Sequence, residues 1–207
     1  MALKSLVLNC TLKPSPESSN TEALAGEVLT ALRNEGADGN MLRMADYDIK
    51  PGVTSDEGHG DQWPAIRAQI LTSDILVIAT PTWLGHPSSI SQRVLERMDA
   101  MLSETDDDDI PVAYNKVAGV VVTGNEDGAH HVISEVAGGL IDIGFTVPAQ
   151  AWTYWNKGPG PGPSYLETNE GRHWSVTTGR TMAKNLVEVA RALKQSPISA
   201  PKRLARP

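Results

Sequence analysis

Two continuous apolar segments, Asp74–Thr80 and Val117–Thr123, most strongly constrain what this chain can fold into. Each has the length of a strand, and neither shows the alternation with polar residues that marks a strand with one solvent-exposed face. Strands covered on both faces are typical of parallel sheets, in which helices pack on either side. A third, shorter apolar run, Leu3–Leu8, lies near the start of the sequence and is consistent with another buried strand.

Segments with helical periodicity lie between these runs. Apolar residues recur at helical spacing over Thr21–Arg33, and Asn20 or Thr21 is suitable as the N-cap. Further helices are predicted over Trp63–Leu71, Ser88–Leu102, 129–143 and Ser175–Lys194, and further strands over Asn40–Met44 and Thr146–Tyr154. This alternation without repeats predicts an α/β fold with a parallel sheet and helices on both faces.

The composition is that of one globular domain. Of the 207 residues, 40% are hydrophobic and 21% are charged, and the formal net charge of −7 argues against nucleic acid or an anionic membrane as the main partner. The single cysteine, Cys10, permits no internal disulfide, and no apolar run is long enough to span a membrane. We therefore expect a soluble cytoplasmic protein with one domain over residues 1–194 and a mobile tail over residues 195–207.

Ligands of such sheets bind beyond the carboxyl ends of the strands, so the loops 9–20, 81–88 and 123–128 are the candidate binding loops. The first loop is rich in Ser and Thr and precedes a helix, and hydroxyl groups at a helix N-terminus can hold a phosphate dianion. It matches neither the Walker nor the dinucleotide glycine pattern. An ordinary serine-rich loop with a good N-cap explains this loop about equally well.

The other two loops add different chemistry. Trp83 lies at the mouth of the predicted sheet next to Gly85, and this pairing suits a flat aromatic ligand, although a Trp that caps the core is the commoner case. The third loop, Thr123–Gly128, again combines a flexible backbone with side chains that form hydrogen bonds.

The three loops together carry a resemblance. The first loop ends Ser19-Asn20-Thr21, and the third contains Thr123-Gly124. The second has the form Pro-x-[Tyr/Trp]-x-Gly and is followed by a helix that ends in Glu96-Arg97. In this order the three loops resemble the NAD(P)H-dependent FMN reductase and quinone reductase branch of the flavodoxin-like superfamily. The resemblance implies a three-layer sandwich with a five-stranded parallel sheet in the order 2-1-3-4-5. One departure is that members commonly begin the first loop with Gly-Ser, where this chain has Asn9-Cys10.

The resemblance also implies a set of site residues around FMN. The phosphate would be held by Thr11, Ser18, Ser19, Asn20 and Thr21. One edge of the isoalloxazine ring would be wrapped by Pro81, Thr82, Trp83, Leu84 and Gly85. The other side of the ring would be lined by Thr123, Gly124, Asn125, Asp127 and Gly128. No catalytic acid or base is implied, because the flavin carries the chemistry.

The leading hypothesis is therefore an FMN-dependent oxidoreductase that takes electrons from NADH or NADPH and passes them to a quinone, a free flavin or another small acceptor. The alternatives are a flavodoxin-type electron carrier and a flavin-free binding or regulatory module on the same fold. Long loops at 46–62 and 155–173 favour the enzyme, since loops at the ligand end can shape a second-substrate pocket.

Three further expectations concern isolated residues. The five histidines show no ligand spacing such as H-E-x-x-H, so no metal site is expected. Cys10 is either a reactive thiol or, more commonly at a strand end, a small buried apolar residue. Trp152, Tyr154 and Trp155 form either an exposed aromatic cluster, which would indicate a homodimer or higher homo-oligomer, or a part of the core.

Overall fold

The computed structural model describes residues 2–158 and 162–199. The strands are β1 (Leu3–Asn9), β2 (Ala37–Arg43), β3 (Ile75–Trp83), β4 (His86–Pro87), β5 (Val117–Gly124) and β6 (Trp152–Asn156). The helices are α1 (Asn20–Asn34), α2 (Trp63–Thr72), α3 (Ser89–Met98), α4 (Ala129–Ile143) and α5 (Arg172–Gln195), with 3₁₀ turns at Met44–Asp46, Asp99–Leu102 and Tyr165–Glu167. None of the helices in these ranges combines the length and apolar character that a membrane crossing requires.

The sheet confirms the predicted topology. Its order is β2-β1-β3-β5-β6, and these five strands are parallel throughout. This is the predicted order 2-1-3-4-5, because the short strand β4 lies off this path and raises the numbers of the last two strands by one. The difference from the prediction is β4, a two-residue strand that pairs antiparallel with the end of β3. The start of the predicted binding loop at 81–88 is therefore a β-hairpin whose first strand continues through Trp83.

Helices cover the sheet on both faces, because alternate residues of each central strand point to opposite sides. On β3, Leu76 and Ile78 pack into one core with α2, α3 and α4. Ile75, Val77 and Ala79 pack into the other core with α1 and α5. This is the three-layer arrangement that the continuous apolar strands predict.

Two strands and one cap lie away from their predicted positions. β2 spans Ala37–Arg43 rather than 40–44, and β6 begins at Trp152 rather than at Thr146, which forms only an isolated bridge to Val117. The N-cap of α1 is Ser19, whose Oγ accepts a hydrogen bond from Glu22 N at 3.1 Å. The predicted tail lies largely outside the described residues, as does the centre of the Gly-Pro loop at 159–161.

The aromatic cluster of β6 divides between the two faces of the sheet. Trp155 is buried, and its Nε1 donates to the Glu170 carbonyl at 2.7 Å. Trp152 and Tyr154 lie half-buried on the opposite face. Trp155 therefore belongs to the core and is no part of an exposed cluster.

The long loop between β2 and α2 is fastened by Arg97, a fully buried residue of α3. Its guanidinium donates to the Lys50 carbonyl at 2.9 Å and to the Thr54 carbonyl at 3.0 and 3.1 Å. It also pairs with the buried carboxylate of Asp61 at 2.7 Å. This loop contributes no residue to the cleft described below.

Candidate functional site

Three loops converge at the carboxyl edge of the sheet, because β1, β3 and β5 are neighbours there. They surround a cleft of about 170 Å³ next to the point where the strand order reverses between β1 and β3. Ten of the residues that the resemblance implies line it: Thr11, Ser19, Asn20, Thr21, Pro81, Thr82, Trp83, Thr123, Gly124 and Asn125. Five others also line it, and sequence reasoning missed them: Leu12, Lys13, Trp155, Ser164 and Tyr165.

The first loop places the N-terminus of α1 at one end of the cleft. The first backbone N–H groups of a helix have no acceptor within the helix, and they carry the positive end of its dipole. Ser19 and Thr11 add hydroxyl groups beside them, and Thr11 Oγ1 accepts from Lys13 N at 3.4 Å. This end of the cleft is therefore suited to an anion.

Lys13 brings a positive side chain to the same end. It lines the cleft, and its Nζ donates to the Ser18 carbonyl at 3.2 Å, so the ammonium group is folded over the loop. Ser18 itself is exposed and lies outside the cleft lining. The signal for Lys13 is present in the sequence, since it is the one basic residue in the loop 9–20.

Arg43, at the end of β2, fixes the conformation of the first loop through hydrogen bonds to its carbonyl groups. Its Nη1 donates to the carbonyls of Lys13, Pro14 and Glu17 at 3.3, 3.0 and 2.8 Å. Its Nη2 pairs with the carboxylate of Glu22 in α1. These bonds satisfy three carbonyl groups of the loop and tie it to both β2 and α1.

The loops are also joined to one another through hydroxyl groups. Thr21 and Thr123 form a buried hydrogen bond of 2.8 Å between the first and third loops. Ser88, the N-cap of α3, donates from Oγ to the Cys10 carbonyl at 2.6 Å, and its N–H donates to Thr80 Oγ1 at 3.1 Å. The second loop is thereby held against the first.

Cys10 is a buried core residue. Burial raises the pKa of its thiol to about 12, and a hydrogen bond with Ser91 offsets only part of that effect. A thiol with so high a pKa stays protonated at neutral pH and is a poor nucleophile. Of the two hypotheses for Cys10, the structure therefore supports a small buried apolar residue and not a reactive thiol.

The β3–β4 hairpin carries Trp83 at the rim of the cleft. Trp83 pairs with His86 across the hairpin, and its side chain is 55% exposed. Leu84 and Gly85 form the turn with φ of 52° and 78°, which is the double left-handed geometry of a tight hairpin. Leu84 is 89% exposed at the tip and lies outside the cleft lining.

Gly85 and Gly128 let the hairpin and the third loop approach closely. Gly128 has a φ of 107°, and a Cβ atom there would lie 2.9 Å from the Gly85 Cα. Neither glycine lines the cleft, and Asp127 does not line it either. We interpret these two glycines as packing positions that bring the walls together.

A fourth segment closes the cleft from the far side. Tyr165 packs edge-on against Trp155 with ring centroids 5.7 Å apart, and the guanidinium of Arg172 lies 4.6 Å from its ring centroid. Asn20 Oδ1 accepts from Leu166 N at 3.0 Å, which ties this segment to the start of α1. The long loop at 155–173 therefore contributes residues to the cleft.

The polar groups of the cleft fit a flavin phosphate. Thr82 Oγ1 and Tyr165 OH are buried without a hydrogen-bond partner within residues 2–158 and 162–199, and both residues line the cleft. Buried hydroxyl groups are normally hydrogen-bonded, so these two are available to a polar ligand in the cleft. FMN offers suitable partners, with its ring carbonyls, ribityl hydroxyls and a phosphate for the α1 end.

Comparisons with known proteins agree with this fit. A curated relative, the 8-demethyl-8-aminoriboflavin-5'-phosphate synthase of Streptomyces davaonensis, is 37% identical over 207 residues, which cover 95% of this chain and 80% of the relative. A crystal structure of RosB with the bound intermediate 8-demethyl-8-formylriboflavin-5'-phosphate superposes with a TM-score of 0.87 at 36% identity, covering 95% of this chain and 82% of the other. A flavodoxin from the domain Archaea shares the fold, with a TM-score of 0.59 at 11% identity over 91% of this chain and 99% of the other.

A second curated relative is a much longer protein. The divalent metal cation transporter MntH of Mycobacterium bovis is 38% identical over 206 residues, which cover 96% of this chain but only 30% of the relative. The family of NADPH-dependent FMN reductases matches residues 3–158, which is most of the chain. The chain therefore belongs to the NADPH-dependent FMN reductase family, whose members use FMN together with a reduced nicotinamide.

Proposed function

We infer that the protein is an FMN-dependent oxidoreductase that takes electrons from NADH or NADPH and passes them to a quinone, a free flavin or another small acceptor. The observation that carries this proposal is the pairing, in one cleft, of a helix N-terminus suited to an anion with two buried hydroxyl groups. These are the hydroxyl groups of Thr82 and Tyr165, which have no hydrogen-bond partner among residues 2–158 and 162–199. Bound FMN supplies the electron transfer, and the protein supplies binding, orientation and access.

The phosphate belongs at the α1 end of the cleft in this proposal. Thr11 and Ser19 donate hydroxyl hydrogen bonds there, and Lys13 contributes charge. Ser19 can do this while it caps α1, because its oxygen accepts from Glu22 N and its hydrogen is free to donate outward. Arg43 keeps the loop in the conformation that presents these groups.

The isoalloxazine ring belongs over the edge of the sheet at which the second and third loops meet. Pro81, Thr82 and Trp83 form one wall, and Gly124 and Asn125 form the other. A Cβ atom on Gly124 would come within 3.0 Å of the Thr82 Cβ, so a side chain there would push the two walls apart. Trp83 is half-exposed at the rim, where it can flank the nicotinamide or a planar acceptor.

A second candidate function has a specific observation in its favour. The solved relative holds a riboflavin 5'-phosphate derivative that is a reaction intermediate, and the curated relative is named for making an aminated flavin phosphate. By this alternative the flavin in the cleft of the present chain is itself the substrate, and its ring substituents are changed. The same phosphate and ring contacts would serve either function.

One experiment separates these possibilities. Protein reconstituted with FMN is titrated with NADH or NADPH without oxygen, and benzoquinone is then added through many turnovers. A parallel sample is incubated in air with an amino acid as the amine donor, and the flavin of both samples is recovered for mass spectrometry. We expect reduction by a nicotinamide, reoxidation by the quinone and recovery of FMN with unchanged mass. Flavin of altered mass would favour the second candidate, and FMN that neither nicotinamide reduces would favour an electron carrier. Failure to bind FMN, or selective retention of FAD, would contradict the proposal itself.

We also propose that the protein works as a homo-oligomer. Trp152, Tyr154 and Trp174 contact one another at the edge of the sheet beside β6, with ring centroids 5.8 and 4.9 Å apart. Trp174 is 46% exposed, so this surface offers aromatic area to a second copy. Analytical ultracentrifugation at micromolar concentration tests this, and sedimentation of a single monomeric species would contradict it.

A further inference from the structure

Three side chains outside the flavin cleft converge on one point beside the hairpin. His86 lies on β4, and His131 and Glu135 lie one turn apart on α4. His86 Nδ1 is 3.1 Å from Glu135 Oε1, and His131 Nε2 is 3.2 Å from the same oxygen. The three potential ligand atoms all lie within 4.8 Å of one another.

We propose that these three residues bind one divalent transition-metal cation, with Zn²⁺ as the reference ion. Two imidazole nitrogens and a carboxylate oxygen are a known zinc ligand set that leaves a fourth position for water. With metal–ligand bonds of about 2.0–2.1 Å, neighbouring ligands of a tetrahedral ion lie about 3.3 Å apart. The two distances to Glu135 are close to that spacing.

The backbone around the cluster is already fixed. His131 and Glu135 are four residues apart on one helix, so they share a face of α4. The hairpin is held against the start of α4 by the close approach of Gly85 and Gly128. The rings of His86 and His131 lie edge to face with centroids 5.0 Å apart. Metal binding therefore needs only small side-chain rotations.

The alternative is a pair of ordinary surface contacts between histidine and glutamate. The exposed fractions of His86, His131 and Glu135 are 62%, 55% and 36%, and exposed pairs of this kind contribute little to stability. The two interpretations differ in their response to metal, because only a chelating site needs all three side chains at once. Sequence spacing could not show the site, since His86 is 49 residues from Glu135.

A bound cation would join the hairpin to α4. His86 is the cross-strand partner of Trp83, so an ion held by His86 would also restrain the strand end that carries Trp83 at the cleft rim. The metal site thus lies next to the flavin cleft but shares none of its lining residues. It stands independently of the proposed oxidoreductase activity.

The test is titration calorimetry of untagged, metal-stripped protein with Zn²⁺, together with the visible spectrum of the Co²⁺ form. We expect one ion per chain and a tetrahedral cobalt spectrum. His86→Ala, His131→Ala and Glu135→Gln should each weaken Zn²⁺ binding by more than about a hundredfold, since even the loss of an outer-sphere partner costs about 10–100-fold. His173→Ala, which removes an exposed histidine of α5, is the matched control and should bind as the wild type does.

The thermal midpoint gives a second measurement. Zn²⁺ should raise it in the wild type and in His173→Ala but not in the three site variants, whose midpoints without metal should match the wild type because the side chains are exposed. Weak binding of several ions, or equal losses in His173→Ala and His131→Ala, would overturn the proposal. An octahedral cobalt spectrum with loss in one site variant only would also overturn it.

Discussion

Two buried arginines, Arg43 and Arg97, fasten two loops at the same end of the sheet, yet only one of these loops reaches the cleft. Arg43 binds three carbonyl groups of the loop after β1, and its exposed partner Glu22 leaves one side of the pair in solvent. Arg97 binds two carbonyl groups of the loop after β2, and its partner Asp61 is fully buried.

The difference shows that a buried arginine bonded to loop carbonyls can stabilise the fold in one place and shape a ligand-binding loop in another. A guanidinium that satisfies loop carbonyls fixes a long segment that has no regular structure of its own. Where the charge pair is fully buried, removal of one partner leaves an uncompensated charge inside the protein, so the free energy of unfolding falls. Where the pair reaches solvent and the loop lines a ligand site, we expect a smaller loss of stability together with a loss of ligand affinity.

The largest expected effect is that of Arg97→Met. Removal of Arg97 leaves Asp61 buried without its cation and frees the carbonyls of Lys50 and Thr54, which should lower the free energy of unfolding by about 3–5 kcal/mol. Urea unfolding measures this change. FMN affinity of the remaining folded protein should stay near the wild-type value, because this loop does not line the cleft.

Arg93→Met is the matched control for this prediction. Arg93 is an exposed arginine of the same helix, and it donates to a carbonyl of the same loop, that of Ile49, at 3.1 Å. Its loss should cost about 1 kcal/mol or less. Equal costs for the two variants would show that burial of the Arg97–Asp61 pair is not what distinguishes the two loops.

The pH dependence of stability should single out the same pair. Burial favours the neutral form of Asp61, but hydrogen bonds from Arg97 and three backbone amides outweigh it and hold the pKa well below its ordinary value. A lowered folded-state pKa stabilises the protein above the unfolded pKa of about 3.9, and this contribution is lost as pH falls further. Asp61→Asn should therefore be less stable at pH 7 yet lose less stability between about pH 5 and 2.

Glu27→Gln provides the comparison, since Glu27 is an exposed carboxylate of α1. Its acid unfolding curve should follow that of the wild type. Denaturant titrations at several pH values measure the slopes, and an Asp61→Asn slope as steep as the wild type would contradict the assignment.

On the cleft side of the comparison, Thr11→Ala combined with Ser19→Ala should have the largest effect on binding. Each hydroxyl is expected to donate to the phosphate, and a hydrogen bond to a charged group contributes about 1.5–3 kcal/mol. Together the substitutions should weaken FMN binding by about a hundredfold or more. Stability should also fall by about 1 kcal/mol, because Ser19 caps α1.

Ser18→Ala is a sharp control, since Ser18 neighbours Ser19 but is exposed outside the cleft lining. FMN fluorescence titration of the two proteins decides the question. A large loss in Ser18→Ala would restore the original assignment of Ser18 to the phosphate site. An unchanged affinity in the double variant would move the phosphate elsewhere.

Much of the fold could be predicted because the central strands are covered on both faces. β3 and β5 appear in the sequence as continuous apolar runs and β1 as a short, mostly apolar run, and their observed bounds differ from the predicted ones by a few residues. β2 is an edge strand that contains Asp38, Gly39 and Asn40, so it lacks such a run. Its position depends on pairing with β1, which no local pattern reports.

The site could be predicted only where a loop directly follows a strand. The hydroxyl groups at Thr11, Ser19 and Thr123 lie in such loops, so the topology alone brings them together. Trp155 and Tyr165 belong to a segment that reaches the cleft through tertiary contacts, among them the bond between Asn20 and Leu166, which are 146 residues apart. Contacts over such separations leave no periodicity in the sequence.

Arg43→Met tests the other half of the comparison and should have a smaller effect on the fold than Arg97→Met. Loss of the bonds to Lys13, Pro14 and Glu17 loosens the phosphate loop, so FMN affinity should fall about tenfold, equivalent to about 1.4 kcal/mol. The free energy of unfolding should fall by about 1–3 kcal/mol. Equilibrium dialysis and urea unfolding of the same preparation measure both quantities.

The control is Arg33→Met, which removes an exposed arginine whose Nη2 donates to the Gly39 carbonyl at 2.6 Å. That contact lies away from the cleft, so FMN affinity should be unaffected. If Arg43→Met destabilised the protein as much as Arg97→Met and left FMN affinity intact, the two arginines would serve the same purely structural purpose.

Trp83→Ala should have the smallest effect on binding, because Trp83 lies on a hairpin that neither arginine fastens and is half-exposed at the rim. Removal of the ring should cost about 0.5–1.5 kcal/mol of aromatic contact, so most of the FMN stays bound. Quinone reduction driven by NADH or NADPH should fall further than FMN occupancy, since small displacements of reacting groups lower rates disproportionately. Steady-state rates per bound flavin measure this, with Leu84→Ala, at the exposed tip of the same hairpin and outside the cleft lining, as the control. A Trp83→Ala protein with the wild-type rate per flavin would remove the hairpin from the second-substrate site and leave only the first and third loops to define it.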